Sequence, residues 1–270
     1  MADADPTALG TRDMLRLEDL PVFTPEKSAI NTHKLVGFDS RDIRARPFNL
    51  LRTSLSKKVK ESGLRLVGVT SATPAAGKSY LSLNLASSLA RVTDQPVFLV
   101  DLDIRRASLA EEIGLITEHG IESFLEGEVS DLRRVGYRIE GTELGLFPSV
   151  RRKRNTAELL ASERFAEMVE IFRSKSEAAI ILFDLPPAFA NDDAMIGLEH
   201  LDGYLLVVDS GKTTRKHVQD VLAMLHPTPC IGSILNRYNG GFTDSYGYGY
   251  GSAHYGKYYE QVDDASGHSD

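Results

Sequence analysis

The segment Ala72-Thr73-Pro74-Ala75-Ala76-Gly77-Lys78-Ser79 combines small residues with one lysine and one hydroxyl at a fixed spacing. Between a strand and a helix, such a loop points backbone N–H groups and the positive end of the helix dipole at an anion. Lys78 then brings a point charge to the β/γ-phosphates of a nucleotide, and Ser79 offers its hydroxyl to Mg²⁺. Two acidic stretches extend the same chemistry: Asp101-Leu102-Asp103-Ile104-Arg105 after Val97–Val100, and Asp184-Leu185-Pro186-Pro187 after Ile180–Phe183. Carboxylates that follow apolar strands collect at one edge of a parallel sheet, where such sheets bind ligands, and their hard oxygens suit Mg²⁺. A single Asp there is ordinarily a turn or a helix cap. Three of them, in a chain with Gly-Lys-Ser, spell a nucleotide site. Ala72 and Ala75 depart from the usual small-loop glycines, and a methyl group at Ala75 disfavours a backbone of positive φ.

A sheet must hold these groups. Apolar, β-branched runs predict strands at 64–70, 97–101, 144–148, 179–184, 203–209 and 230–235. Helical spacing predicts helices from Pro47, from Ser79 to Val92, and near 106–113, 156–173, 192–199 and 214–225. In the 156–173 segment, Phe165, Met168, Val169 and Phe172 fall at the i, i+3, i+4, i+7 positions of a buried face. Strands that are apolar throughout, alternating with helices, imply an α/β fold with a mostly parallel twisted sheet covered on both faces. The expected organisation is a mobile arm over 1–43, a nucleotide-binding domain over 44–237 and a disordered tail over 238–270.

The 270-residue chain is 42% hydrophobic, which gives ample apolar surface for a core. Its longest strongly apolar run, Ala178 to Phe183, falls far short of the ~20 residues of a membrane-spanning helix. The first ten residues show neither a basic start nor an apolar stretch, so no secretory leader is expected. A lone cysteine, Cys230, suits a reducing cytoplasm. The net charge of −7 argues against a nucleic-acid partner. It is unevenly spread: residues 44–60 carry six basic and no acidic groups, while 238–270 carry one basic and five acidic ones.

With these motifs, residues 45–260 resemble the bacterial tyrosine kinases of capsule and exopolysaccharide synthesis, a branch of the P-loop NTPases with a partition-ATPase-like architecture. The Walker A loop of that family matches Ala72–Ser79. Its additional Walker A′ motif, Asp-x-Asp-x-Arg, matches Asp101, Asp103 and Arg105, and its Walker B motif matches Asp184–Pro187. Weaker family-like text runs from Asn155 to Leu160 and at Asp193-Ala194. The resemblance implies that ATP lies against Ala75, Ala76, Gly77, Lys78, Ser79 and Tyr80. It implies that Ser79, Asp103 and Asp184 arrange Mg²⁺ and that Asp101 accepts a tyrosine proton. Arg105 either steadies the phosphoryl group or serves as a plain ion-pair arginine, and Asn236, ending the last strand, either approaches the adenine or simply ends the strand. The family's subunit-contact motif Glu-x-x-Arg-x-x-Arg reads Arg46, Asn49 and Arg52 here.

Seven of the ten tyrosines lie in 238–259, among six glycines and with no Val, Ile, Leu or Met. Such a segment buries no aliphatic surface and resists ordering. Beside a kinase-like site, Tyr246, Tyr248, Tyr250, Tyr255, Tyr258 and Tyr259 read as phosphoacceptors. The resemblance further implies a homo-oligomer in the cytoplasm, recruited to the inner face of the membrane by a polysaccharide chain-length or export protein. Two rivals share the nucleotide site. A partition-type ATPase switch ordinarily carries a lysine where this chain has Thr73, and a degenerate regulator binds ATP without transferring phosphate.

Overall fold

Strands with apolar residues on both faces account for the architecture. Along β3 (Val97–Asp101), Val97 and Leu99 enter one buried cluster while Phe98 and Val100 enter another. β6 (Ile180–Asp184) divides in the same way. Residues that alternate between two cores need helices on each side of the sheet. The computed structural model describes residues 14–92, 95–151, 156–175 and 179–238. Through Asn236 the chain is one unit, and a second begins at Arg237. The six expected phosphoacceptors lie outside the described residues, as do the first 13 residues of the expected arm.

The remaining strands are β1 (Val22–Phe23), β2 (Leu66–Ser71), β4 (Tyr137–Ile139), β5 (Leu144–Phe147), β7 (Gly203–Asp209) and β8 (Cys230–Asn236). They form one sheet in the order β1-β4-β5-β3-β6-β2-β7-β8, parallel except for the β4–β5 pair. Register matters most at the centre: Asp101 of β3 stands opposite Asp184 of β6, so both acidic ends reach the same carboxyl edge. One face is covered by α1 (Lys27–Thr32), α2 (Arg46–Ser62), α3 (Lys78–Ala90) and α4 (Leu109–Ile113), and Phe48, Leu55, Leu85, Leu89 and Ile113 join Val67, Val69 and Leu182 there. The other face takes α5 (Ile121–Leu125), α7 (Glu163–Glu170), α8 (Asp193–Leu198) and α9 (Arg215–Met224). There Phe172 meets Phe147 edge-on at 5.1 Å and Phe183 at 5.9 Å between ring centroids. Truncating a ring so enclosed costs about 3–5 kcal/mol.

Two expectations need correction. The 156–173 helix is broken into α6 (Thr156–Leu160) and α7, because the Ser162 hydroxyl accepts a hydrogen bond from the Phe165 N–H and restarts the helix. The 1–43 arm is docked over its described part. β1 pairs with β4, and Leu15, Leu17 and Leu20 are buried. Gly37 lies so close to α3 that a Cβ would fall 2.3 Å from the Asn84 carbonyl oxygen, while its N–H donates to Asn84 Oδ1 at 2.7 Å.

At the amino edge of the sheet, Asp202 Oδ2 accepts the N–H groups of Arg65 and Leu66 at 2.8 and 2.9 Å, and Oδ1 accepts Arg173 Nη1 at 2.7 Å. Burial pushes this carboxyl up, but the two N–H groups and Arg173 outweigh it and hold it below the usual range. Asp202→Ala is expected to destabilise the fold by about 2–4 kcal/mol at neutral pH, since it strands the donors. A lowered carboxyl contributes stability above its unfolded value and loses it as pH falls through the folded one. Urea titrations should therefore show the gap between wild type and variant narrowing below about pH 4, and a gap equal at pH 7 and pH 3 would refute the charge-based account.

Candidate active site

The loop between β2 and α3 turns on two residues of positive φ, Ala75 at +59° and Gly77 at +91°. Glycine adopts this backbone freely, whereas an alanine there costs about 1 kcal/mol. The expected strain at Ala75 is thus present, and its methyl group is exposed. The turn feeds directly into α3, whose first residue is Lys78. Lys78 and Ser79 are 3% and 2% exposed, and Ala76 is buried. Asn236, at the end of β8, donates from Nδ2 to the Ala76 carbonyl at 2.7 Å. Its side chain thus buttresses the loop. The Tyr80 ring, partly buried, packs edge-on against Phe48 of α2 at 5.8 Å and lies against the core of that face.

Of the three strand-end acids, Asp103 and Asp184 lie within the field of Lys78. Lys78 Nζ lies 3.7 Å from Asp103 Oδ2, with both side chains nearly closed to solvent. Asp184 is fully buried; Ser82 of α3 donates to its Oδ1 at 3.0 Å, the Ser79 hydroxyl also favours its charged form, and Oδ2 has no hydrogen-bond partner among the described residues. Burial pushes the Asp184 carboxyl up to about 6 against the pull of Lys78. Asp101 has 0% exposure. Its Oδ1 accepts the Asp103 N–H at 3.1 Å and its Oδ2 the Leu109 N–H at 3.3 Å. Burial first, then the Asp184 and Asp103 carboxylates, push it well above the usual carboxylate range. Both oxygens of this expected base are thus committed to the loop that follows it. Ser149 reinforces that loop by donating to the Asp101 carbonyl at 2.6 Å.

Several groups have no counterpart among the expected site residues. Ser108 donates to the Ser79 hydroxyl at 3.0 Å. Glu112 of α4 is pushed up to about 7 by burial, with Asp184 adding to it and Arg106 and Lys78 opposing. Asp193 pairs with Arg105 at 3.0 Å and joins Thr156 to the same cluster. Ser108 and Glu112 follow the Asp101–Arg105 stretch with no spacing signal of their own, whereas Thr156 and Asp193 lie in the weaker family-like text. The altered subunit-contact positions are used within the chain: Asn49 Oδ1 accepts from Ser88 and from Arg91 Nη2, both at 3.2 Å, and Arg52 Nη1 donates to the Ser88 carbonyl at 3.3 Å.

The donor set fits a hard divalent cation. It offers a hydroxyl, a buried carboxylate oxygen with no partner among the described residues, and an excess of carboxylates over the one lysine they face. Among the described residues no three His, Cys, Asp or Glu side chains form a metal-holding group of their own. A cation would take part of its shell from water and phosphate, as Mg²⁺ usually does.

No protein-family model matches the chain. It is 32% identical over 214 residues to EpsB of Ralstonia nicotianae, which carries a tyrosine-protein kinase name; the match takes in 77% of this chain and 27% of EpsB. It is 31% identical over 191 residues to the tyrosine-protein kinase Etk of Escherichia coli K12, covering 69% of this chain and 25% of Etk. With the succinoglycan biosynthesis transport protein ExoP of Rhizobium meliloti it shares 29% over 232 residues, 81% of this chain and 28% of ExoP. The chain thus spans about a quarter of the length of these relatives. Among solved structures, the VpsO kinase domain matches with a TM-score of 0.65 and 29% identity, over 73% of this chain and 97% of that domain. The septum site-determining protein MinD of Pyrococcus horikoshii, complexed with Mg-ADP, shares the fold at a TM-score of 0.54 and 21% identity, over 64% and 70%. Identity at this level extends well beyond the phosphate loop, and it coincides with a sheet that overlays nearly the whole of a solved kinase domain. On both counts this chain belongs to the bacterial tyrosine-protein kinases.

Proposed function

We propose that this chain is the catalytic portion of a protein-tyrosine kinase that transfers the γ-phosphate of ATP to the tyrosines at 246, 248, 250, 255, 258 and 259. The observation that carries the reading is the β3–β6 register, which sets Asp101, Asp103 and Asp184 at one sheet edge beside a buried Lys78. The backbone N–H groups of Ala75, Ala76 and Gly77 and the Lys78 ammonium receive the phosphates, and Asn236 keeps the loop in shape. Ser79, Asp103 and Asp184 would hold Mg²⁺, partly through water. An ion held there would neutralise phosphate charge.

In the transfer, the tyrosine oxygen forms a new bond to the γ-phosphorus as the bond to the bridging oxygen breaks and ADP leaves. Positioning and charge neutralisation supply most of the rate. Asp101, enclosed and doubly bonded to backbone, shapes the loop. Asp103, at 6% exposure the more open of the pair, faces the ion, and Asp101 is the carboxylate proposed to take the proton of an incoming phenol. No helix among the described residues is long and apolar enough to cross a membrane. In this reading a membrane-embedded polysaccharide chain-length or export protein recruits the chain to the inner face of the membrane, where the kinase acts as a homo-oligomer and regulates exopolysaccharide export. ExoP supports that setting, being named for succinoglycan transport.

The test is incubation with Mg·ATP followed by mass spectrometry, with Lys78→Met as control. Phosphate on the tail tyrosines of the wild type alone is expected. ATP binding and hydrolysis without phosphotyrosine would place the chain with the partition-type switches instead, and binding with neither activity would make it a regulator.

A further inference from the structure

Arg105 is half-exposed, with 51% of its side chain open to solvent, yet one of its nitrogens is fixed. Nε donates to Asp193 Oδ2 at 3.0 Å. The same oxygen accepts Asn191 Nδ2 at 2.8 Å and the Thr156 hydroxyl, so donors from three segments converge on one atom of a side chain 2% exposed. Asp193 opens α8, but every hydrogen bond its carboxylate accepts comes from a side chain. Its other oxygen, Oδ1, is buried and has no partner among the described residues.

That geometry differs from two other arginine–aspartate pairs among the described residues. Arg44 grips Asp42, and Arg133 grips Asp131, through Nε and Nη2 together. The two-point grip is the stronger one. Arg105 forgoes it. Its two Nη groups make no hydrogen bond with the described residues, although Asp193 leaves an oxygen unused beside it. A buried acceptor left unpaired costs about 1–3 kcal/mol. The half-exposed guanidinium sits two residues past Asp103 and feels the charge of that site carboxylate.

We propose that Asp193 is a positioning residue that holds Arg105 by Nε, leaving both Nη groups to receive the oxygens of the phosphoryl group as it passes to tyrosine. The proposal rests on the tyrosine-kinase reading. Asn191 and Thr156 keep the Asp193 oxygen aimed, and the ligand class is a phosphoryl dianion, in transit or as phosphotyrosine.

The experiment compares Arg105→Ala, Asp193→Asn and the double variant. Single-turnover phosphorylation is expected to fall about 10- to 100-fold in each single variant, and the double variant is expected to be no slower than Arg105→Ala. Affinity for Mg·ATP, which is held by the Lys78 loop, should stay within about threefold of wild type. Millimolar guanidinium ion should partly rescue Arg105→Ala but not the double variant, a difference that a merely structural Asp193 would not produce. Independent, multiplying losses would overturn the proposal, as would equal rescue in both backgrounds. If Asp193→Asn fails to fold, Thr156→Val tests the same tether with an expected loss of about threefold. A wild type that makes no phosphotyrosine would defeat the kinase reading by itself. The tether is then judged by O-phosphotyrosine binding in the presence of Mg·ADP, expected to weaken about tenfold in Arg105→Ala and Asp193→Asn alike; unchanged binding would overturn it.

Discussion

Lys78→Met is expected to weaken Mg·ATP binding about 100-fold and to reduce tyrosine phosphorylation by at least 1000-fold. Lys78 has almost no exposure and sits 3.7 Å from Asp103, so its charge acts where water screens it little. Methionine keeps the length and apolar body of the side chain, and the buried channel stays filled. The ammonium alone is lost. A hydrogen bond to a charged group contributes about 1.5–3 kcal/mol, and a 100-fold change in affinity is about 2.7 kcal/mol. The loss compounds at the acids, because Lys78 also holds down the Asp184 carboxyl. Without it, the carboxylates that face the phosphates lose their counter-charge and repel the nucleotide. Calorimetry with Mg·ATP and phosphosite mapping read the two effects separately. An affinity within twofold of wild type would remove Lys78 from the phosphate site.

The parts of this site legible in the sequence are those fixed by local rules. β3 and β7 occupy 97–101 and 203–209, as their apolar runs predict, and the acids stand at the strand ends because a parallel sheet directs its carboxyl ends to one edge. The strain at Ala75 is likewise local, being set by a turn that requires positive φ. What stayed hidden depends on tertiary contact. β1 has two residues and β4 three, too short for any period, and β1 is held by β4 and the buried leucines beside it. Gly37 gives no sign of its close approach to Asn84, 47 positions away. Arg105 and Asp193 are 88 positions apart, and nothing in either segment announces the pairing. Tyr80 likewise gives no sign in its own segment that its ring meets Phe48. Burial of Asp101 escapes notice for a related reason: a strand-end acid reads as accessible until the loop folds back and claims both oxygens.

Asp184→Asn is expected to act in opposite directions on the free and the nucleotide-loaded protein. In the free protein the carboxyl is buried, one oxygen has no partner among the described residues, and its proton comes off only near about 6. The unfolded value is near ~3.9, so ionisation opposes folding. An acid raised in this way leaves stability intact below the unfolded value and removes it as pH rises through the folded one. Two units correspond to about 3 kcal/mol at most, lost between roughly pH 4 and pH 6–7. Asparagine never ionises, and its carbonyl still accepts the Ser82 hydroxyl, so the free variant should be more stable than wild type at pH 7.5 and indistinguishable from it at pH 4. The change also lowers Asp101, which the Asp184 charge pushes up. With Mg·ATP the order reverses. A ligand at 100 times its dissociation constant stabilises by about 2.7 kcal/mol, and the variant, lacking the anionic oxygen offered to Mg²⁺, should gain almost none of this and transfer no phosphate. A site that weakens its own fold in order to hold a cation thereby trades stability for activity. Melting curves at pH 4 and 7.5, with and without Mg·ATP, decide the matter. If Asp184→Asn melts lower than free wild type at pH 7.5, or gains as much from Mg·ATP, the buried carboxylate serves the fold rather than the metal.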